Sequence, residues 1–205
     1  MADPKSDKLK EVYGDRTVDD QRAIYREWAE TYDAQTTGEF GWVGFKSAAI
    51  EVEKRVPDRK ARILDAGCGT GFAGRELAAL GYENLHGRDL SPEMLKQAEG
   101  LGVYSSLEEC DLTQPLDETH YDAIISVGVF GFGPPDPEHI CHLVNVLKKE
   151  CLLTMTVNGK GWIDRDWSEV LKQVVSDQGL NLVEQLDIEY LEKEEIGGKL
   201  LIFKA

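Results

Sequence analysis

The chain has 205 residues, 41% of them apolar and 30% charged, and a formal net charge of −15. That length fits one domain by default, the apolar fraction sustains a core, and no apolar run approaches the roughly 18 residues that a bilayer crossing needs. So acidic a chain repels nucleic-acid phosphates unless a local basic patch overrides it, and its basic clusters (Lys54-Arg55, Arg59-Lys60-Arg62, Lys148-Lys149) are short and stand close to acids. Cys68, Cys110, Cys141 and Cys151 show no C-x-x-C spacing and read as reduced thiols of a cytoplasmic protein.

Residues 1–18 carry no periodic apolar pattern, and the charged stretch 1–10 is no signal peptide. They read as a disordered leader, followed by a single domain over 19–205. Ala23, Ile24, Trp28, Ala29 and Tyr32 fall at helical spacing, with Thr17 or Asp19 as cap. A glycine- and aromatic-rich loop (36–44) and a second helix (45–56), ended by Pro57, complete an N-terminal helical lid over 19–56. The aromatics of that lid suit either a mobile cover or packing on the core.

Residues 61–66 are an apolar run that predicts a short buried strand. A glycine-dense turn follows, Gly67-Cys68-Gly69-Thr70-Gly71, and then an apolar-periodic helix over 72–80. Strand, glycine turn and helix aim backbone N–H groups and a helix N-terminus at a ligand. Residues 69–74 fit the dinucleotide fingerprint G-x-G-x-x-G literally. Asp65, however, stands two residues before Gly67, where a carboxylate repels a pyrophosphate and attracts an ammonium or sulfonium. A second acid, Asp89, closes a strand over 84–89, where a carboxylate accepts from both hydroxyls of a ribose. An adenosine with a cationic amino-acid tail, S-adenosylmethionine, satisfies both acids.

The chain then alternates. A helix over 92–99 is capped by Ser91 with Pro92 in its first turn. A strand over 105–110 ends at Asp111; an apolar strand covers 121–127; a helix over 137–147 precedes a strand over 151–157. Repeated βα units predict a parallel sheet with right-handed crossovers. After a helix over 167–178 come strands 180–191 and 199–204, joined by 192–198 with Gly197-Gly198 as a turn signal. That spacing is a hairpin, so the last strand runs antiparallel to its neighbours.

Asp65 to Gly71, Gly87-Arg88-Asp89-Leu90-Ser91, Asp111-Leu112 and the string 121–128 resemble the signature motifs of class I S-adenosylmethionine-dependent methyltransferases. The likeness covers roughly residues 25–160, and the strings 25–33 and Leu85-His86-Gly87 are similar to one subfamily. It implies an α/β, Rossmann-like seven-stranded sheet of order 3-2-1-4-5-7-6, last strand antiparallel, helices on both faces. It also implies S-adenosylmethionine as cofactor and S-adenosylhomocysteine as product. By resemblance, Gly67 and Gly69 let the loop backbone, Ala66 and Cys68 included, contact the methionine moiety, and Asp65 orders that loop. Asp89 holds the ribose diol, Leu90 packs on adenine, Asp111 accepts from the adenine amino group, and the Leu112 N–H donates to the ring. Ser126 and Val127 lie beneath the sulfonium, and Tyr32 approaches the methionine carboxylate. Arg88 departs from the family, which usually carries an apolar residue there.

Methyl transfer is an in-line displacement whose leaving group, a neutral thioether, needs no acid; the enzyme supplies alignment and a dry site. Candidate bases follow strand four: Asp136, Glu138, His139 and His142, which serve equally as helix caps and surface charge. With Cys141 they gather in one segment, and no other ligand-rich segment completes a metal site. Families that methylate nucleobases or glutamine carry Asn or Asp, Pro-Pro and an aromatic after strand four; this chain has Ser126-Val127-Gly128-Val129-Phe130. A small-molecule acceptor is expected, with no nucleic-acid or membrane partner, on a monomer or weak dimer. Two rivals remain at this point: an NAD(P)-dependent oxidoreductase and a non-catalytic S-adenosylmethionine-binding partner protein.

Overall fold

The apolar run at 61–66 condenses into β1 (Ile63–Ala66), buried at all four positions. Burial on both faces is what a central parallel strand requires. The computed structural model describes residues 4–14, 16–117 and 120–205. Its other strands are β2 (Leu85–Asp89), β3 (Ser106–Glu109), β4 (Tyr121–Ser126), β5 (Leu147–Asn158), β6 (Asn181–Leu191) and β7 (Ile196–Lys204). They form one seven-stranded sheet in the order β3-β2-β1-β4-β5-β7-β6. β1 runs parallel to β2 and β4, and β7 is antiparallel to both β5 and β6. This is the expected order and sense.

The helices are α1 (Asp7–Val12), α2 (Val18–Trp28), α3 (Gly44–Arg55), α4 (Phe72–Ala79), α5 (Pro92–Glu99), α6 (Ile140–Asn145), α7 (Gly159–Asp164) and α8 (Trp167–Gln178). Side chains alternate across the sheet with period two. Leu64, Ile124, Leu153 and Leu201 join Trp167 and Leu171 of α8 in one core cluster. Ile63, Ile125, Leu200 and Ile202 join Phe45 of α3 and Leu77 of α4 in another. Each such side chain contributes about 1.5–3 kcal/mol on burial. Among the described residues no helix is long and apolar enough to cross a membrane, and the four cysteines are free thiols.

Several elements differ from the sequence reading, among them α7, which it did not contain, and a π-helix over Ala34–Glu39 in the expected loop. The stretch expected to be a disordered leader contains α1, whose Leu9 and Val12 are buried with Trp28, Phe40, Tyr190 and Leu191 in a third cluster. Six residues make too short a helix to stand alone or to show a period; packing holds it. The helix expected over 137–147 is a single 3-10 turn, Pro137–His139, followed by the short α6. β5 therefore starts at Leu147, and a kink at Glu150 (φ 65°), with a register shift opposite Tyr121 and Ala123, hides its first residues from a periodicity search. Gly197 and Gly198 lie in β7, not in the turn, which spans 192–195 with Glu195 at φ 57°. At Gly198 the lack of a side chain serves packing: a Cβ there would lie 2.8 Å from Cδ2 of Tyr190. At the start of α2, the Thr17 side chain accepts from the Asp20 N–H and Asp20 accepts from the Thr17 N–H, a capping box.

Candidate functional site

The turn after β1 carries three glycines in the left-handed region, Gly67, Gly69 and Gly71, with φ of 75°, 54° and 95°. L-residues with side chains strain there. Crowding adds a second demand at Gly67, where a Cβ would lie 2.3 Å from Cγ2 of Val129. At Gly69 a Cβ would meet nothing within 4 Å and would point into open space. The Gly67 and Cys68 N–H groups donate to the Arg88 carbonyl at 2.8 and 3.0 Å, which folds the turn over the end of β2. Arg88 itself is buried, and its guanidinium pairs with Asp117 at 2.7 Å and Glu108 at 3.1 Å. Charged partners thus replace the apolar packing that the family carries at this place.

Three acids stand at the carboxyl ends of β1, β2 and β3. Asp65 is 2% exposed. Its Oδ2 accepts from the Tyr104 hydroxyl at 2.7 Å. Burial pushes its pKa up to about 7, and nearby Asp89 adds to the rise, against the hydrogen bonds from Tyr104 and the Gly74 N–H. Asp89 accepts from the Gly69 N–H at 2.7 Å and the Ser91 N–H at 2.9 Å. Burial raises its pKa despite these donors. Asp111 accepts through Oδ1 from both the N–H and the hydroxyl of Thr113, at 2.9 and 2.7 Å. Oδ2 makes no protein hydrogen bond among those found.

The third glycine of the apparent dinucleotide fingerprint has a different purpose here. A Cβ on Gly74 would lie 2.1 Å from Oη of Tyr104, and Gly71 and Gly87 also leave room for the same ring. Tyr104 reaches Asp65 only because these residues lack side chains.

All this surrounds one cavity, lined by both polar and apolar side chains. Of the residues expected at the cofactor, all line it except Ala66 and Ser126. Those two face each other instead: the Ser126 hydroxyl donates to the Ala66 carbonyl at 2.9 Å and ties β4 to β1. Tyr32 lines the cavity and also stacks edge-on against Trp28, ring centroids 4.7 Å apart, so cover and core packing coincide. The sequence reading missed Gln21 of α2, Met94 of α5, and Pro134 and Pro135 of the loop after β4, all in the cavity wall. Only Tyr25, on the same helical stripe as Tyr32, had a visible signal.

None of the candidate bases lines the cavity. The Asp136 N–H donates to Nδ1 of His139 at 3.0 Å, and Asp136 pairs with Arg165 at 3.1 Å. His142 is hydrogen-bonded through Nδ1 to the Leu112 carbonyl at 3.2 Å. Among the described residues no three His, Cys, Asp or Glu side chains gather as a metal site. Among the described residues three aspartates line the cavity, and no Lys, Arg or His does.

Residues 63–150 match the methyltransferase domain family, and the strand order is the one implied by the resemblance to class I S-adenosylmethionine-dependent methyltransferases. It is 32% identical to methyltransferase-like protein 27 of Homo sapiens over 134 residues, 62% of this chain and 53% of that one. It is 30% identical to a tRNA U34 carboxymethyltransferase of Cellvibrio japonicus over 108 residues, 48% of this chain and 34% of that one. The chain thus spans about half the length of the human relative and about a third of the bacterial one. The fold is also that of a TehB-like S-adenosylmethionine-dependent methyltransferase of Corynebacterium glutamicum, with a TM-score of 0.65, 24% identity and coverage of 89% of this chain and 98% of that one. S-adenosylmethionine is the cofactor that this family and fold imply.

Proposed function

We propose that the chain transfers a methyl group from S-adenosylmethionine to a small-molecule acceptor. The carrying observation is the charge of the cavity wall: three aspartates at the ends of adjacent parallel strands, and no cationic side chain. A ligand bearing an ammonium and a sulfonium compensates buried carboxylates; a pyrophosphate would meet them without a counter-ion. The residues fit the cofactor. Asp89 is placed for the ribose, Leu90 and Met94 for an apolar ring, Asp111 with its open oxygen for an amino group, and the bare backbone at Gly69 for the amino-acid tail.

When bound, the cofactor supplies an activated methyl group whose departure leaves a neutral thioether. The chain's own residues hold, orient and dry the site; Tyr25, Tyr32 and Trp42 wall it from solvent. Burial raises the phenol pKa values of Tyr25 and Tyr32, which keeps both neutral and rules them out as ready bases. With the other candidates outside the cavity, the acceptor best suited to it brings its own deprotonated nucleophile. The bacterial relative is named for a tRNA, but a net charge of −15 opposes phosphate-backbone binding.

Calorimetric titration tests the reading. S-adenosylmethionine should bind, and NADPH should give no heat. Binding of NADPH with no response to S-adenosylmethionine would overturn it. Mass spectrometry of a small-molecule acceptor pool should then reveal a gain of one methyl group; tight cofactor binding without any methylated product would favour a non-catalytic partner protein.

A further inference from the structure

We propose that an anion-recognition subsite with Arg16 as its cation lies at the edge of the cavity, beyond its acidic wall, and that the methyl acceptor therefore carries a carboxylate or a phosphate. This rests on the reading of the cavity as a methyltransferase site.

Arg16 sits in the link between α1 and α2. Its Nη2 donates to the Val12 carbonyl. Its Nε and Nη1 are buried and have no partner among the described residues. A guanidinium carries five N–H donors, and leaving charged donors buried and unpaired is costly. Such a group is stable where an anion arrives to pair with it. Burial, as the largest influence, lowers the pKa of Arg16, and Arg165 lowers it further.

The position is at the cavity's edge. A Cβ on Gly133 would lie 3.2 Å from Nη2 and 3.4 Å from Nε of Arg16, and 2.9 Å from Oε1 of Gln21. Gln21, Pro134 and Pro135, the last two directly following Gly133, line the cavity. Oε1 of Gln21 is likewise buried without a partner. An amide is turned by the hydrogen bonds on offer, so Gln21 can present its N–H₂ to the same anion. Gly133, with φ of 64°, leaves the space between them open.

The other charges facing Arg16 are accounted for. Asp20 is engaged in the capping box with Thr17, Arg165 pairs with Asp136, and Glu11 pairs with Lys8 at 2.8 Å. The support beneath is firm. Tyr13 stacks on Phe132 with centroids 4.2 Å apart. The Lys5 N–H donates to Glu194 at 2.5 Å. The first contact holds the end of α1 against the loop that follows β4, and the second ties the stretch before α1 to the turn between β6 and β7. The same bidentate donor geometry serves a carboxylate and a phosphate; the cofactor's own carboxylate is expected beside Tyr32, which leaves Arg16 to the acceptor.

The experiment titrates the full chain, saturated with S-adenosylhomocysteine, with succinate and separately with inorganic phosphate. At least one should bind with a millimolar Kd, and Arg16→Gln should weaken it by about tenfold or more, a loss of ~1.4 kcal/mol. Arg16→Lys, which keeps the charge without the fork, should recover part of the affinity. A succinate response alone indicates a carboxylate acceptor; a phosphate response alone, a phosphorylated one. Each variant is first titrated with S-adenosylhomocysteine, which reports an intact fold. If Arg16→Gln fails that step, Gln21→Leu in the same subsite decides by the same tenfold criterion. No binding of either anion to the wild type, or equal binding by the variants, overturns the proposal. Failure of S-adenosylhomocysteine itself to bind the wild type would sink the methyltransferase reading instead.

Discussion

If Asp65 faces the cofactor as proposed, its buried pairing with Tyr104 should make cofactor affinity depend on pH. Asp65 has its pKa pushed up to about 7 by burial, from 3.8 in the unfolded chain. Between those values the folded protein holds a proton that the unfolded chain has lost. Stability of the ligand-free protein therefore falls as pH rises from 4 to 7, by at most ~1.4 kcal/mol per unit. A cationic cofactor reverses the preference, because it favours the ionised carboxylate. Binding should strengthen as pH rises and level off above 7, with Kd at pH 6 about tenfold weaker than at pH 8. Tyr104→Phe removes the hydroxyl that donates at 2.7 Å to Asp65. A hydrogen bond to a charged group contributes ~1.5–3 kcal/mol, or about one to two pKa units. The plateau should therefore move to about pH 8–9 in this variant. Asp89, Cys68 and the Gly74 N–H face the same carboxylate, but all three are common to both proteins, so the difference between the two profiles isolates the phenol. Calorimetry with S-adenosylmethionine across pH 5.5–9 is the assay. A wild-type Kd that is flat from pH 6 to 8, or a variant profile that superimposes on it, refutes the argument.

Asp89→Ala should weaken S-adenosylmethionine by about tenfold or more, since charged hydrogen bonds to the ribose are lost; an unchanged Kd by calorimetry would exclude that role. Gly67→Ala places a methyl 2.3 Å from Val129 at a φ of 75°, and should cost ~1–3 kcal/mol or more of stability. Adding Val129→Ala should restore part of that loss in a denaturant titration; no recovery would show that backbone strain, not crowding, decides. Leu9→Ala should destabilise the fold by ~2–5 kcal/mol if α1 packs as described, and a melting temperature equal to wild type would return that segment to a loose leader.

The turn after β1 was legible because one short segment carries its whole logic: an apolar run, glycines where φ is positive, and acids at strand ends. The order of the sheet followed from the family likeness that those residues carry. What escaped depends on partners distant in the chain. Tyr104 has no local signature; its importance lies in Asp65, 39 residues earlier, and in the room left by Gly71, Gly74 and Gly87. Gly197 and Gly198 look like a turn because glycine usually is one, whereas both lie in β7 and Tyr190 explains the second. Ser126 carries a motif position, yet it donates to Ala66 and points away from the cavity. Arg16 stands alone between two helices, and only the absence of a counter-ion marks it.

The position of β7 separates the order of the sheet from the order of the chain. It follows β6 in sequence, yet it lies between β5 and β6. Without it β5 has one open seam and β6 has no neighbour in the sheet. The β3-β2-β1-β4 half, which bears the three aspartates, is continuous without it, so the acidic end of the cleft is built from strand pairings that β7 does not enter.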